Sequence, residues 1–376
     1  VEMTADASTP TGPNSARIGT GKKRTETATG IETQTETPAK ITIRDVAKAA
    51  GVAPSTVSRA FARPGRVNEA TAQRIYDIAD KIGYRATAIR AHTNDDHLNG
   101  MLGIVVADLS NPVFAEYTRA AQHECLSNGF GLLVLDSEEN AVIERTSIHT
   151  AIQHIDGLIL SSSRLSDAGI RKLAQTKPLV TLNRSIRGIQ SVIGDVQTGL
   201  TQAVEHLASL GHRNFTYLSG PESSWQDGVR WRTLSSICQR QHLKLRRIPS
   251  NAPTFSGGFR TGEAFLNNPT SAVIAYNDIM AIGFIAALHS RNISVPGEVS
   301  AVGIDDVQVS SLVSPALSTV RLPRKELGAK AVDEVLDLIH HTKSINDRKP
   351  IMLQSSYVVR ASTGKANSSL SSAIHI

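Results

Sequence analysis

Two cysteines in 376 residues leave no material for a disulfide framework or a thiolate metal site. Cys125 and Cys238 lie far apart, each in a stretch that reads as an apolar helix, so both are expected to be small buried core residues. No run of about 18 apolar residues occurs, which excludes a membrane-spanning helix. Residues 1–40 lack an apolar segment ahead of a small-residue cleavage site, so nothing there reads as a secretory signal and the cytoplasm is the expected compartment. The motifs of α/β catalysis are missing too. There is no Gly-x-Gly-x-x-Gly after the first apolar run, no P-loop and no Gly-x-Ser-x-Gly elbow. His206 and His212 are six apart and fall on different helix faces, so they do not form a metal-ligand pair. Neither an enzyme nor a cofactor or metal is expected.

What is present divides along the chain. A length of 376 residues suits two or three folding units of about 100–200 residues each. Residues 1–40 are rich in Thr, Ser, Glu and Gly and nearly devoid of aliphatic residues. They cannot bury enough surface to offset the entropy of ordering and read as a disordered tail. Residues 361–376 read as a second loose end. The net charge is +6, and positions 41–90 hold nine Lys and Arg against four Asp and Glu. Such a local excess is the footprint of a phosphate-binding module.

Three short helices are expected between positions 41 and 83. The first has Ile43, Val46, Ala47 and Ala50 at helical spacing, Thr42 as N-cap and Gly51 past its end. The second opens at Ala53-Pro54-Ser55, because proline fits a first helical turn. Asn68 caps the third, whose Ile75, Ile78, Ala79 and Ile82 form one stripe. The first two helices, parted by Gly51-Val52-Ala53, are spaced as in a helix-turn-helix, whose second helix enters the major groove. Ser55, Thr56 and Arg59 are its polar residues, and a guanidinium can fork onto a guanine edge. From Met101 onward, short apolar runs (residues 102–107, 132–135, 158–160, 179–182, 215–218, 272–276 and 299–304) alternate with helical stretches. That alternation predicts an α/β core of two doubly wound parallel-sheet lobes, with a cleft at the carboxyl ends of their strands.

Residues Thr42 to Arg59, reading TIRDVAKAAGVAPSTVSR, resemble the N-terminal signature of the LacI/GalR family of transcriptional repressors. The likeness continues through Gly65-Arg66-Val67-Asn68, Leu210-Gly211-His212, Tyr276-Asn277-Asp278 and Gly303-Ile304-Asp305-Asp306. It implies a small all-α headpiece at 41–84, a hinge at 85–99 and a periplasmic-binding-protein-like core at 100–360. In that core, lobe 1 is expected at 100–194 and 320–350, and lobe 2 at 195–319 and 351–360. It also implies a homodimer, with a tetramer left open, on a pseudo-palindromic operator, switched by a small-molecule effector, a carbohydrate by this reading. A global regulator or activator answering to a sugar phosphate or phosphoprotein is the alternative. An exported solute-binding protein is set aside by the headpiece.

By the same resemblance Pro54, Ser55 and Arg59 are base readers. Thr42, Thr56, Ser58, Asn68 and Tyr84 complete the DNA-binding set, with Thr42, Ser58 and Asn68 read as caps or phosphate partners rather than readers. In the hinge, relatives carry a leucine that wedges the minor groove. Here Ala88 and Ile89 are followed by Thr93 at that position, a poor wedge. Either Ile89 or Leu98 substitutes in a shifted frame, or the DNA is bent little. The effector positions are Asn111, Phe114, Arg230, Asn277 and Asp305, with Trp225 offered for an aromatic that Pro253 displaces. Arginine, amide and carboxylate each make paired hydrogen bonds to neighbouring hydroxyls. Structural alternatives stay open: Asp305 or Asp278 as a helix cap, Arg230 paired with Asp227, Phe114 in the core.

Overall fold

In this computed structural model, residues 41–62, 67–82, 84, 98–250, 252–341 and 349–367 are described. The tail at 1–40 and the hinge residues Ala88, Ile89 and Thr93 lie outside them. The chain divides into two units, Val1–Ala86 and Thr87–Ile376.

The first unit holds α1 (Ile43–Ala50), α2 (Pro54–Ala62) and α3 (Glu69–Lys81). Local chemistry sets each boundary. The Thr42 backbone N–H and hydroxyl both donate to Asp45 Oδ2 at 2.7 Å, so the Asp45 carboxylate reaches back and fixes the first turn of α1. Gly51 ends α1 at φ +64, a left-handed conformation that glycine adopts without a Cβ clash. Asn68 Oδ1 accepts from Ala70 N at 3.1 Å and starts α3. Val46, Val57, Ala60 and Ile75 form the buried centre. Tyr76 Oη donates to the Ala60 carbonyl at 2.5 Å, tying α3 to α2.

Tyr84 is only 6 % exposed and packs its ring against Phe61, centroids 5.7 Å apart. The expected DNA contact by Tyr84 therefore becomes a core position, because the ring closes the headpiece's apolar centre. Leu98 likewise packs against the first-lobe core, which removes it as a displaced hinge wedge.

At the start of the second unit's described residues, Asp156 accepts from the backbone N–H groups of Asn99, Gly100 and Met101 at 2.8, 2.7 and 3.2 Å. Two six-stranded sheets follow. In chain order the first-lobe elements are β1 (Met101–Val106), α4 (Pro112–Ser127), β2 (Gly131–Asp136), α5 (Ala141–Ala151), β3 (Gly157–Ser161), α6 (Asp167–Ala174), β4 (Leu179–Leu182) and β5 (Gln190–Asp195). The second lobe runs through α7 (Val196–Ser209), β6 (Asn214–Leu218), α8 (Trp225–Arg240), β7 (Lys244–Ile248), α9 (Phe255–Leu266), β8 (Ala272–Ala275), α10 (Asp278–His289), β9 (Ser300–Asp305) and β10 (Ser318–Arg321). The chain then returns for α11 (Arg324–Ile339) and β11 (Ile351–Gln354) and closes with β12 (Ser356–Val358).

The sheet orders are β11-β5-β4-β3-β1-β2 and β12-β10-β9-β8-β6-β7. Every pairing is parallel except β10 with β12. Leu102 and Ile104 of β1 face the core beneath α4 and α11, and Val105 and Leu160 face the one beneath α5 and α6. Strands buried on both faces read as continuous apolar runs, which is how their sequence gave them away.

The final exchange between lobes differs from expectation. β10 pairs with β9 in the second sheet, so the segment from 320 does not open a return to the first lobe. β11 pairs with β5 in the first, although the expected boundaries put 351–360 in the second. The C-terminal segment is also tied down. Ser362 donates its hydroxyl to the Ala301 carbonyl at 2.6 Å, and the Gly364 carbonyl lies 3.0 Å from His212 Nε2. Residues 361–367 thus belong to the second lobe rather than to a loose end.

Tyr84→Ala is expected to cost the headpiece about 3 kcal/mol by emptying its packed site. Accelerated amide exchange at Val57 and Ala60 measures this, and Tyr84→Phe, which keeps the ring, leaves exchange at its wild-type rate.

Candidate functional site

On α2, Val57 and Ala60 turn inward while Pro54, Ser55, Ser58 and Arg59 stand exposed and Thr56 is half-buried. The polar side chains predicted from sequence therefore share one solvent face at the start of the helix. Arg59 lies back along that face, its Nε donating to the Ser55 carbonyl at 3.1 Å and its Nη2 to Ser55 Oγ at 3.2 Å. Reaching a base edge requires the guanidinium to release both weak local bonds, a small cost for an exposed group. Arg44 and Lys48 on α1 are exposed as well. Thr42 and Asn68 are committed as caps.

The second candidate site lies where the strands of both lobes end. Parallel strands all present their carboxyl ends to the same side, so the loops there converge on the cleft. Several of those loops hold non-glycine residues at positive φ: Glu138 and Glu139 after β2, Ser162 after β3, Asn183 after β4, and Asp305 and Asp306 at the end of β9. Backbone held in that region is costly and collects at functional positions.

In the cleft Arg230 Nη2 donates to Asp305 Oδ1 at 3.2 Å, with both side chains 6 % exposed. Arg230 Nη1 donates to the Tyr276 carbonyl, and the guanidinium lies over the Tyr276 ring at 4.5 Å. Arg230 Nε is buried with no partner. Burial pushes the Asp305 carboxyl up while Arg230 pulls it back. Burial pulls Arg230 down, but the Asp305 carboxylate and the tyrosine rings outweigh it.

Both lobes touch across this site. Gln226 Nε2 at the start of α8 donates to the Asn183 carbonyl of the first lobe. Arg184 of the first lobe lies 5.7 Å over the Trp225 ring of the second. Asn183 Nδ2 donates to Tyr117 Oη at 3.0 Å. Behind the site, Arg324 forks onto Glu116 at 2.9 and 3.1 Å and donates to the Asp306 carbonyl at 2.9 Å. Asp306 Oδ2 takes Arg321 at 2.6 Å and its Oδ1 takes Arg360 at 2.5 Å.

Comparison with known proteins gives this geometry a family. Residues 42–86 match the model described as bacterial regulatory proteins, lacI family, and residues 204–363 match the periplasmic binding protein-like domain. The regulator GalR of Salmonella typhimurium is 30% identical over 305 residues, covering 79% of this chain and 89% of GalR. The chain belongs to the LacI family. DegA of Bacillus subtilis, a helix-turn-helix transcriptional regulator, is 28% identical over 351 residues, 87% of this chain and 99% of its own. The crystal structure of the lac repressor dimer bound to operator and the anti-inducer ONPF superposes with a TM-score of 0.68 at 24% identity. The match covers 86% of this chain and 99% of that one. As a LacI-family member the protein is a DNA-binding helix-turn-helix transcriptional regulator with an effector-binding domain.

The residues expected at the effector site fall into two groups. Arg230 and Asp305, 75 positions apart, are brought together, and Asp227 pairs with Arg247 rather than Arg230. Asn277 is occupied on both sides. Its Oδ1 accepts from Met280 N at 2.8 Å and its Nδ2 donates to the Pro253 carbonyl at 2.9 Å, so it caps α10 instead of offering a free amide. Asn111 caps α4 through Val113 N at 3.1 Å. Phe114 belongs to the first-lobe core and meets Tyr117 edge-on at 6.3 Å. Trp225 is 39 % exposed and stands at the cleft between Arg184 and Arg232.

Tyr117, Asn183, Arg184 and Gln226 were missed. Asn183-Arg184 directly follows the apolar run 179–182, and a polar pair at the end of a buried strand was the available signal. Among the described residues no cluster of His, Cys, Asp or Glu is placed to hold a metal ion, and no helix is long and apolar enough to cross a membrane.

Asp278, at the first turn of α10, is fully buried. It accepts from Val307 N at 2.9 Å, Ser310 Oγ at 2.6 Å and Thr319 Oγ1 at 2.5 Å. Burial, with the nearby Asp305 carboxylate adding, outweighs these donors and pushes its carboxyl up to about 7. A carboxyl raised on folding contributes stability below its unfolded value that is lost as pH rises through the folded one. Wild-type urea midpoints are therefore expected to fall between about pH 4 and pH 7. The fall should be smaller in Asp278→Asn, and equal slopes would show that another group titrates.

Proposed function

We propose that the protein is a repressor that binds a pseudo-palindromic operator as a homodimer in the cytoplasm. A small polyhydroxylated ligand, a sugar or sugar derivative, held between the lobes switches that binding. The observation that carries the reading is the buried Arg230–Asp305 pair at the strand ends of the cleft, which keeps one guanidinium nitrogen without a partner. Adjacent hydroxyls satisfy such a pair because each both donates and accepts.

Support for the remaining parts comes from separate sources. The lac repressor has been seen as a dimer on operator, and the regulator CelR, similar in fold with a TM-score of 0.62, as a cellobiose complex. On the second lobe, Phe255 and Phe259 are 45 % and 39 % exposed and stacked at 6.4 Å. An exposed aromatic pair suits burial against a second copy. Pro54, Ser55, Thr56, Ser58 and Arg59 face the major groove, and Thr93 in place of a leucine leaves the DNA bent little unless Ile89 takes the wedge's place. A ligand changes DNA affinity only by binding one lobe arrangement better than another, and residues reaching across the cleft supply that difference.

Operator affinity measured across a ligand titration tests both halves. Arg59→Ala is expected to cost about 1–3 kcal/mol and to relax one base position per half-site. A uniform loss on all sequences would make it a phosphate contact. Asp305→Ala is expected to keep operator binding and to shift the ligand response at least about tenfold, since it strands buried donors. A response at the wild-type ligand concentration would move the effector site elsewhere.

A further inference from the structure

The first lobe carries a cavity that neither the headpiece nor the cleft uses. Helices α5 and α6 cover the face of the first sheet opposite α4 and α11, and between them lies a groove of about 400 Å³. Its floor is apolar: Ile148 and Leu165 are buried, and Ile152 and Leu173 are half-buried in the same cluster. Its rim is basic. Arg145 and His149 from α5 and Lys172 from α6 are the titratable residues lining it, and no acidic residue joins them.

These three side chains are exposed and make no ion pair or side-chain hydrogen bond among the described residues. Neighbouring charges are already committed. Asp167 holds Arg184 at 2.6 Å and Arg171 at 3.8 Å, and Glu144 is buried against the Arg164 backbone N–H at 2.7 Å. Gly169 keeps the groove open from within α6. A Cβ there would meet nothing nearer than Ser166 Oγ at 3.4 Å, although glycine is a poor helix former.

An apolar floor under an unneutralised basic rim matches an amphiphile with an aliphatic body and one anionic head. The volume of about 400 Å³ holds roughly a dozen water-sized elements of ~30 Å³, the scale of a medium chain. We propose that this groove is a second ligand site, independent of the cleft, that takes a medium-chain aliphatic carboxylate. The tail lies on Ile148, Ile152, Leu165 and Leu173, and the carboxylate sits among Arg145, His149 and Lys172.

Calorimetric titration of the full chain with octanoate below its micellar concentration tests this, with octan-1-ol and octylammonium as probes of equal tail and different head. Octanoate is expected to bind at one site per chain, octanol about tenfold more weakly and octylammonium not measurably. The double variant Arg145→Gln, Lys172→Gln should weaken octanoate about tenfold with the melting temperature unchanged, and Gly169→Phe should abolish binding by filling the groove. If Gly169→Phe does not fold, the double variant decides. No heat with wild type, equal binding of the three probes, wild-type affinity in the double variant, or uptake of an acidic peptide without octanoate would each overturn the proposal.

Discussion

The buried pair Arg230–Asp305 sets the terms for the cleft. Two charges removed from water recover only part of their hydration through each other, and here each is 6 % exposed with one contact of 3.2 Å between them. The guanidinium recovers more from the Tyr276 carbonyl and ring. Asp305 is meanwhile held at φ +114, a conformation that a free chain would leave. Strain, desolvation and an orphan nitrogen thus accumulate at one point of the second lobe, while the sheets around it are conventional. Of these, the orphan nitrogen is the one that a further hydrogen-bond acceptor would satisfy.

How much of this the sequence disclosed follows from the range over which each feature is determined. Headpiece boundaries rest on contacts within a few residues, such as Thr42 with Asp45 and Asn68 with Ala70, and were legible. Inner strands such as β3 and β8 are buried throughout and announced themselves as apolar runs. β7, reading KLRRI with one buried residue, and β11, alternately half-buried and exposed, have no such signal. β5 opens with Gln190 and Ser191, buried because Ser191 meets Thr181 Oγ1 at 2.8 Å. That polar satisfaction comes from a distant strand and cannot be read locally.

The site divides in the same way. Arg230 and Asp305 could be named from resemblance, but their pairing is a tertiary fact. Asn277 has the right side chain at the right place, yet its position before α10 gives the amide a nearer task as a cap. Tyr84 was misjudged for a related reason: resemblance placed it among DNA contacts, while its partner Phe61, 23 residues upstream, takes the ring into the core.

The polypeptide passes between the lobes at three places, after β5, after β10 and after β11. The crossings are laterally bonded. Gln354 stands in register with Asp195 in the first sheet, Ser356 with Arg321 in the second, and Ser355 N donates to the Asp195 carbonyl at 3.2 Å. Three straps fastened side by side behave as a door hinge does. They leave one rotation soft and make sliding and twisting stiff. Lobes joined in this way open and close about one axis, so a small movement at the strand ends is levered into a larger sweep at the far rim of each lobe.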